Sequence, residues 1–401
     1  MTPSPAARLF PKVSSHLARI RTRLWTRISL ILTAMALAAC VQGTPGGNQP
    51  SGGSSGKVAV ALLVPKSGAG GDAALATHLE NAARLAIADL SGVQIDLRVY
   101  DTGGSTAASV AAANRAMDEG AQVLLGPVFA EASNAVGIAA APRGVSVLSF
   151  SNNPSIAGGN VFVLGNLFDN TARRLVDYSA RQGKRSILVV HGNGGAEIIG
   201  RDAIASAIRA SGATLAGTVP FEMSQQGVVG AIPSIVARQR ESGADAVFFT
   251  SGNDGAMPML AQLMPEQGLS SSTAQWMGLQ RLDIPASARA LPGLQGSWFA
   301  LPDPGTVAAF EQRYQAAYSM APHSIAGLAY DGIAAIGALA RKGDGFTPAA
   351  LSQSQGFAGV NGVFRFLPGG TNQRALAIAT IRNSQVVVLD PAPRSFGGAG
   401  F

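Results

Sequence analysis

Cysteine is almost absent: the 401-residue chain holds one, Cys40, which excludes an intrachain disulfide and any metal site built on several thiolates. Histidine is scarce as well. The four, His16, His78, His191 and His323, are scattered with no metal-ligand spacing, so zinc and thiol mechanisms have little material to work with. Charged residues make up only 13% and aromatics 6% of the chain, against 47% hydrophobic residues and 49 glycines. That is the composition of a compact, Ala/Gly-rich globular protein and not of a disordered one. Acidic residues are missing altogether from positions 1–56, where six basic ones stand: Arg8, Lys12, Arg19, Arg21, Arg23 and Arg27. Those six carry most of the net charge of +7, because the remainder has 24 Lys and Arg against 23 Asp and Glu. A nearly neutral body with few aromatics argues against nucleic acid as a partner.

Long apolar runs are also lacking. ISLILTAMALAA at 28–39 has twelve residues, too short for a membrane span of roughly 20 but of the length of a signal-peptide core. Basic residues precede it, and it ends in Leu37-Ala38-Ala39-Cys40, which resembles the lipobox of bacterial lipoproteins. That resemblance implies a signal peptide over 1–39, lipidation of Cys40 and, with Val41 following the cysteine, sorting to the inner leaflet of the outer membrane on the periplasmic side. Residues 41–56, VQGTPGGNQPSGGSSG, have no apolar periodicity and read with Cys40 as a flexible tether over 40–56.

Catalytic motifs fail one by one. Gly52-Gly53-Ser54-Ser55-Gly56 matches G-x-S-x-G, yet nothing strand-like precedes Ser54. Asp101-Thr102-Gly103 stands alone, whereas aspartic-protease chemistry needs two apposed carboxylates. After Gly192 the pattern G-x-G-x-x-G breaks at Glu197, and G-x-x-x-x-G-K-[ST] does not occur. With no nucleophile–base, metal or phosphate constellation left, the expectation is a protein that is not an enzyme, with no catalytic residues, no metal and no cofactor.

What the chain does have is alternation. Apolar strand-like runs at 58–65, 95–100, 122–125 and 145–150 alternate with Ala-rich helical stretches at 73–90, 106–119 and 131–140. This is the signature of a mainly parallel sheet with helical crossovers, an α/β fold. After 161–164 a second series follows: helices at 170–181, 196–210, 228–241 and 256–264 and strands at 187–190 and 246–250. The chain then returns through 297–301 to helices at 306–318 and 325–341. The end reads as an antiparallel hairpin, 363–367 with 376–382, followed by a strand at 386–389. Removing 56 residues of signal and tether leaves enough chain for two cores.

The order and spacing of several pieces resemble the type I periplasmic binding proteins, of which the leucine-binding receptors are the standard example. The pieces are Val64-Pro65-x-Ser67-Gly68, Asp101 after Leu97-Arg98-Val99-Tyr100, Gly126-Pro127-Val128-Phe129, Leu148-Ser149-Phe150-Ser151-Asn152 and Ala329-Tyr330-Asp331-Gly332. The resemblance implies two doubly wound Rossmann-like lobes joined by three crossovers, with ligand in the cleft between them. It places lobe 1 at 57–167 plus 297–357 and lobe 2 at 168–296 plus 358–401, crossing near 165–168, 296–298 and 356–359.

In such sheets ligands lie beyond the carboxyl ends of the strands, where loops and helix N-termini supply N–H groups. The expected cleft residues are therefore Ser67 and Gly68 after the first strand, Ser151, Asn152 and Asn153 after the fourth, and Asn253 and Asp254 in the second lobe. Helix capping is the competing role for each Ser, Asn and Asp. For Asp331, tying down a neighbouring loop competes with facing the cleft. The family's amino-acid receptors use a hydroxyl where this chain has Ala130 and an acid where it has Gln280, so a standard amino-acid site is in doubt.

Two readings follow. Gly126–Ala130 with 149–166 resembles the binding-fold domain of penicillin-binding protein activators, outer-membrane lipoproteins that regulate peptidoglycan synthesis by contacting a penicillin-binding protein. The alternative is a lipid-anchored substrate-binding protein of a branched-chain amino acid or amide-type ABC transporter, with an ABC permease as partner; the cleft is a candidate site for a small polar ligand.

Overall fold

The computed structural model describes residues 57–397; the expected signal peptide, Cys40 and the tether lie outside the described residues. The first sheet comprises β1 (Val58–Val64), β2 (Ile95–Asp101), β3 (Val123–Leu125), β4 (Ser146–Ser149) and β5 (Val161–Val163). Every pairing is parallel, in the order β2-β1-β3-β4-β5. The apolar run of β1 is continuous because both faces are covered. Val60, Leu62 and Val64 point into one core, and Ala61 and Leu63 into the other, as the two-residue period of a strand dictates. Between these strands run α1 (Asp72–Asp89), α2 (Thr106–Asp118) and α3 (Ala130–Ala140).

The second sheet repeats the winding. Here β6 (Ser186–Gly192), β7 (Thr214–Phe221), β8 (Ala246–Phe249), β9 (Gln275–Gly278) and β10 (Trp298–Leu301) run parallel in the order β7-β6-β8-β9-β10. Helices α4 (Phe168–Arg181), α5 (Gly195–Ser211), α6 (Gln225–Ser242) and α7 (Met257–Leu263) connect them. From β10 the chain enters α8 (Pro304–Tyr318), α9 (Ala326–Lys342) and α10 (Pro348–Leu351). Residues of α8 and α9 belong to the first core, with Val60 and Leu62. The glycine-rich composition has a use at this packing face: a Cβ on Gly332 of α9 would stand 2.5 Å from Leu125 Cδ1.

The lobe boundaries differ from expectation at two crossovers. Residues 298–301 stay in the second sheet, as β10, where Trp298 lies edge-on to Tyr178 at 4.9 Å. The chain therefore returns to lobe 1 after Leu301, not at 297. The expected hairpin is not formed either. Antiparallel β11 (Phe357–Gly359), β12 (Gly362–Phe366) and β13 (Asn372–Arg374) make a small third sheet, in which 362–366 pairs with 372–374. Phe364 and Phe366 are buried in the first core, with Phe366 at 5.4 Å from Phe162. Burying these rings holds the segment to lobe 1 as far as Arg374, and the third crossing falls at 375–376 instead of 356–359. Only then do β14 (Ala377–Arg382) and β15 (Gln385–Asp390) add antiparallel to the second sheet, beside β10.

One buried ion pair organises the crossings. Asp331 on α9 is 0% exposed and meets Arg374, 2% exposed, at 2.8 Å. The Asp331 carboxylate also accepts the N–H of Val360 (2.8 Å) and the Asn361 amide (3.0 Å). Arg374 donates to the Leu164 carbonyl through Nε (3.0 Å) and Nη2 (2.6 Å). Asn372 donates to the carbonyls of Val163 and Gly165 and accepts from Asn170. Of the two roles open to Asp331, this is the structural one. Removing one member strands a buried charge, so Asp331→Ala is expected to lose about 3–5 kcal/mol in urea unfolding. Arg143→Ala, which breaks a surface pair with Asp118, is expected to lose under about 1 kcal/mol. Equal losses in the two variants would contradict this account.

Candidate functional site

The loops leaving β3, β4 and β5 in lobe 1 face those leaving β9 and β10 in lobe 2, and a cavity of about 770 Å³ lies between them. Lobe 1 lines it with Val128, Phe129, Ala130 and Phe150 to Asn153, and lobe 2 with Leu279, Gln280, Arg281 and Ile284. All three crossovers reach it, through Gly165, Asn166 and Phe168, through Leu301 and Pro302, and through Arg374 and Leu376. Rotation of one lobe on the other must therefore change its shape.

Ser151, Asn152 and Asn153 lie in the wall. The Ser151 hydroxyl accepts the N–H of Asn153 at 3.1 Å, and Asn153 Oδ1 accepts the N–H of Ser155 at 2.9 Å, so these two also cap the local turn. Asn152 is exposed to the cavity, and its side chain makes no hydrogen bond among the described residues. Ala130 and Gln280 line the same space, and Gln280 Nε2 donates to the Thr250 carbonyl at 3.2 Å.

Ser67 and Gly68 do not line it. They sit at the carboxyl ends of β1 and β2, on the side of the sheet away from β5. There Asp101 Oδ1 accepts the N–H groups of Ser67 (3.1 Å) and Gly103 (2.9 Å), so the loop bonds to itself. Asn253 and Asp254 stand apart as well, at an adjoining cavity of about 540 Å³ that shares Gln280, Arg281 and Ile284 with the first. Asn253 uses its amide to hold the carbonyls of Leu282 (2.8 Å) and Ile284 (2.9 Å). His191 is buried, with Nδ1 at 2.8 Å from the Gly192 carbonyl, and lines neither cavity.

Three features escaped sequence reasoning. Arg374 lies in the cavity wall although it falls between the two runs expected to pair as a hairpin. Arg281 lines it while held by both oxygens of the buried Asp283, at 2.7 and 2.5 Å. Glu197 is a buried carboxylate that accepts from the Ser251 hydroxyl (2.8 Å), the Gly192 N–H (3.2 Å) and the Thr250 hydroxyl. It clamps the ends of β6 and β8 together; the only signal was a glutamate in the first turn after a glycine-rich loop.

A family profile described as periplasmic binding protein matches residues 57–385, nearly all of the described chain. The chain belongs to that family. No curated protein matches it in sequence. Among solved structures, the family fold is shared with a branched-chain amino acid ABC transporter protein from Rhodospirillum rubrum. The TM-score is 0.72 at 17% identity, covering 83% of this chain and 100% of that one. A periplasmic ligand-binding protein of a branched-chain amino acid ABC transporter from Burkholderia xenovorans aligns at TM-score 0.64 and 18% identity, over 84% and 96% of the two chains. An R. palustris solute-binding protein in complex with benzoate aligns at TM-score 0.55 and 18% identity, over 86% and 99%.

The Asp101 turn has a pH signature. Hydrogen bonding from the Ser67 side chain, then from the N–H groups of Gly103 and Ser67, outweighs burial and lowers the Asp101 pKa from its ordinary value. A depressed carboxyl contributes stability that is present above the unfolded pKa of about 3.9 and lost as pH falls through the folded one. In Asp101→Asn the acceptor oxygen remains but the titration is gone. Its urea midpoint is expected to fall less than that of the unaltered chain between about pH 5 and pH 2. Parallel declines would remove Asp101 from the acid limb.

Proposed function

We propose that this chain is the solute-binding component of an ABC transporter, working in the periplasm. The observation that carries the reading is the cavity of about 770 Å³, walled by both lobes and reached by all three crossovers. A ligand touching both lobes stabilises the closed arrangement by its differential contacts, which is how such a clamp signals occupancy. Described relatives with this fold are solute receptors, and their solutes include amino acids and benzoate. In this reading Ser151, Asn152 and Asn153 belong to the solute site. Asn253 and Asp254 would form an adjoining subsite, while Ser67 and Gly68 shape the β1 turn. Lipidation at Cys40 would tether the receptor to a membrane, and the partner would be an ABC permease.

A second reading, regulation of a penicillin-binding protein by contact from the outer membrane, draws support from one observation. Where the amino-acid receptors place a hydroxyl and an acid, this cavity presents Ala130 and Gln280, so the usual amino-acid contacts are lost. Thermal melting against amino acids, amides, organic acids and peptidoglycan fragments separates the two. A solute at a hundredfold excess over its Kd is expected to add about 2.7 kcal/mol. Cross-linking in membranes should then recover a permease. No shift with any solute, together with recovery of a penicillin-binding protein, would replace the first reading by the second.

A further inference from the structure

A second cavity, of about 390 Å³, lies on the far side of the crossovers from the main one. Leu167 of the first crossover lines it, whereas Gly165 and Asn166 line the main cavity. On the approach to the third crossover, Thr371 and Asn372 line the second cavity, and Arg374 and Leu376 line the main one. Helix α4 stands between the two: Phe168 and Thr171 face the main cavity, Asp169 and Arg173 the other. At about 100° per residue these two faces of the helix point about 150° apart. The crossovers are tied together at this point, since Asn372 donates to the carbonyls of Val163 (2.7 Å) and Gly165 (2.8 Å) and accepts from Asn170 of α4 (2.8 Å). Rotation about such a tie that brings the lobes together on one side parts them on the other.

Both lobes wall the second cavity. From lobe 2, α5 presents Ala203, Ser206, Ala207 and Ala210, at the i, i+3, i+4, i+7 spacing of one helix face. From lobe 1, Leu367 and Thr371 belong to the turn between β12 and β13. The side chains of Asp169, Arg173, Ser206 and Thr371 make no hydrogen bond or ion pair among the described residues. No side-chain bond therefore holds α5 to the turn at a fixed distance. Packed groups compress little, so the approach of α5 to the turn is limited by the bulk of the side chains between them. On α5 that bulk is three methyl groups and one hydroxymethyl.

We propose that this second cavity is the opening stop of the two-lobed clamp: as the main cavity opens, α5 and the turn at 367–371 close on each other, and the small side chains of α5 set how far. The proposal holds whichever solute or partner the chain serves. Filling the space is then expected to bias the chain towards the arrangement in which the main cavity is closed. Ser206→Trp and Ala210→Trp test this. Both positions are exposed, so the lobe 2 core is undisturbed, and the added ring gains apolar contact with Leu167 and Leu367 in the cavity. Arg209→Trp, exposed on the same helix but outside the lining, is the control. In the full chain carrying Cys40→Ser, nitroxide labels are placed through Glu131→Cys in lobe 1 and Ser287→Cys in lobe 2. Both are exposed and close in sequence to the lining residues Ala130 and Ile284, so pulsed EPR reads the spacing of the lobes across the main cavity. With no solute added, that distance is expected to shorten by a few ångströms in the two cavity variants and to stay unchanged in the control. Shortening in either cavity variant alone supports the proposal. Unchanged or longer distances in both, or an equal shift in the control, would overturn it. If neither variant folds, Thr371→Trp enters the same space from lobe 1 and decides by the same readout.

Discussion

The contact on which the rest depends is the buried pair between Asp331 and Arg374. Two charges taken out of water cost several kcal/mol each unless geometry and further hydrogen bonds repay them. Here the carboxylate takes the Val360 N–H and the Asn361 amide, and the guanidinium takes the Leu164 carbonyl twice and lies 4.9 Å from the Phe364 ring centre. The result joins four stretches of the chain: the end of β5, α9, the turn between β11 and β12, and the end of β13. The first and third crossovers leave from the same few residues. Side by side and cross-bonded, they join the lobes along one line.

Lobe 2 grips the same line from its own side. Arg174 on α4 is buried and donates to the Leu376 carbonyl at 2.7 Å, Asp390 at 2.9 Å and the Pro391 carbonyl at 3.2 Å. It therefore fixes the end of the third crossover and the end of β15 together. Beyond Ala392, buried in the lobe 2 core, the chain returns to the third sheet, where the Phe396 ring lies 4.5 Å from the Arg365 guanidinium. A Cβ on Gly356 would stand 2.7 Å from that ring, so the tail packs directly on backbone. A non-covalent strap thus joins the lobes in addition to the three covalent passages, and its two prolines, Pro391 and Pro393, limit how far it can bend. The cavity wall is made partly of the three crossovers, so opening it must move them.

Much of the fold was legible because burial imposes period. The uninterrupted apolar run of β1 and the 3.6-residue spacing of the long helices could be read directly. Strands β7 and β9 could not. TLAGTVPF lies at a sheet edge with most positions partly exposed, and QWMG is four residues long, so neither carries enough apolar pattern. The misplaced hairpin had another cause. Pairing 363–367 with 376–382 across a glycine-rich turn is good local chemistry, yet Phe364 and Phe366 are already committed to lobe 1, and the crossing must wait for Arg374. At the site, Asn152, Ala130 and Gln280, all near strand ends, line the cavity, whereas Ser67, Gly68, Asn253 and Asp254 do not. Arg374 and Arg281 did not stand out, because their importance comes from partners about forty residues away or from a buried acid two residues on.

The failed dinucleotide pattern at Glu197 also acquires a meaning. In a phosphate-binding loop the glycines and the helix N-terminus are left open for an external anion. In lobe 2 the first turn of α5 carries its own anion: the Glu197 carboxylate accepts from the Gly192 N–H and from the hydroxyls of Thr250 and Ser251, and seals the ends of β6 and β8. In lobe 1 the helix at the corresponding place, α1, carries Asp72 in its first turn, and the helix that starts at the cavity is α3. Helix α3 begins at Ala130 behind an apolar N-cap with the cavity before it; Glu131 stands in its first turn but is not among the lining residues. Both helix starts thus carry an acid, but only in lobe 2 is that acid buried and bonded to two strand ends, so that it adds rigidity there.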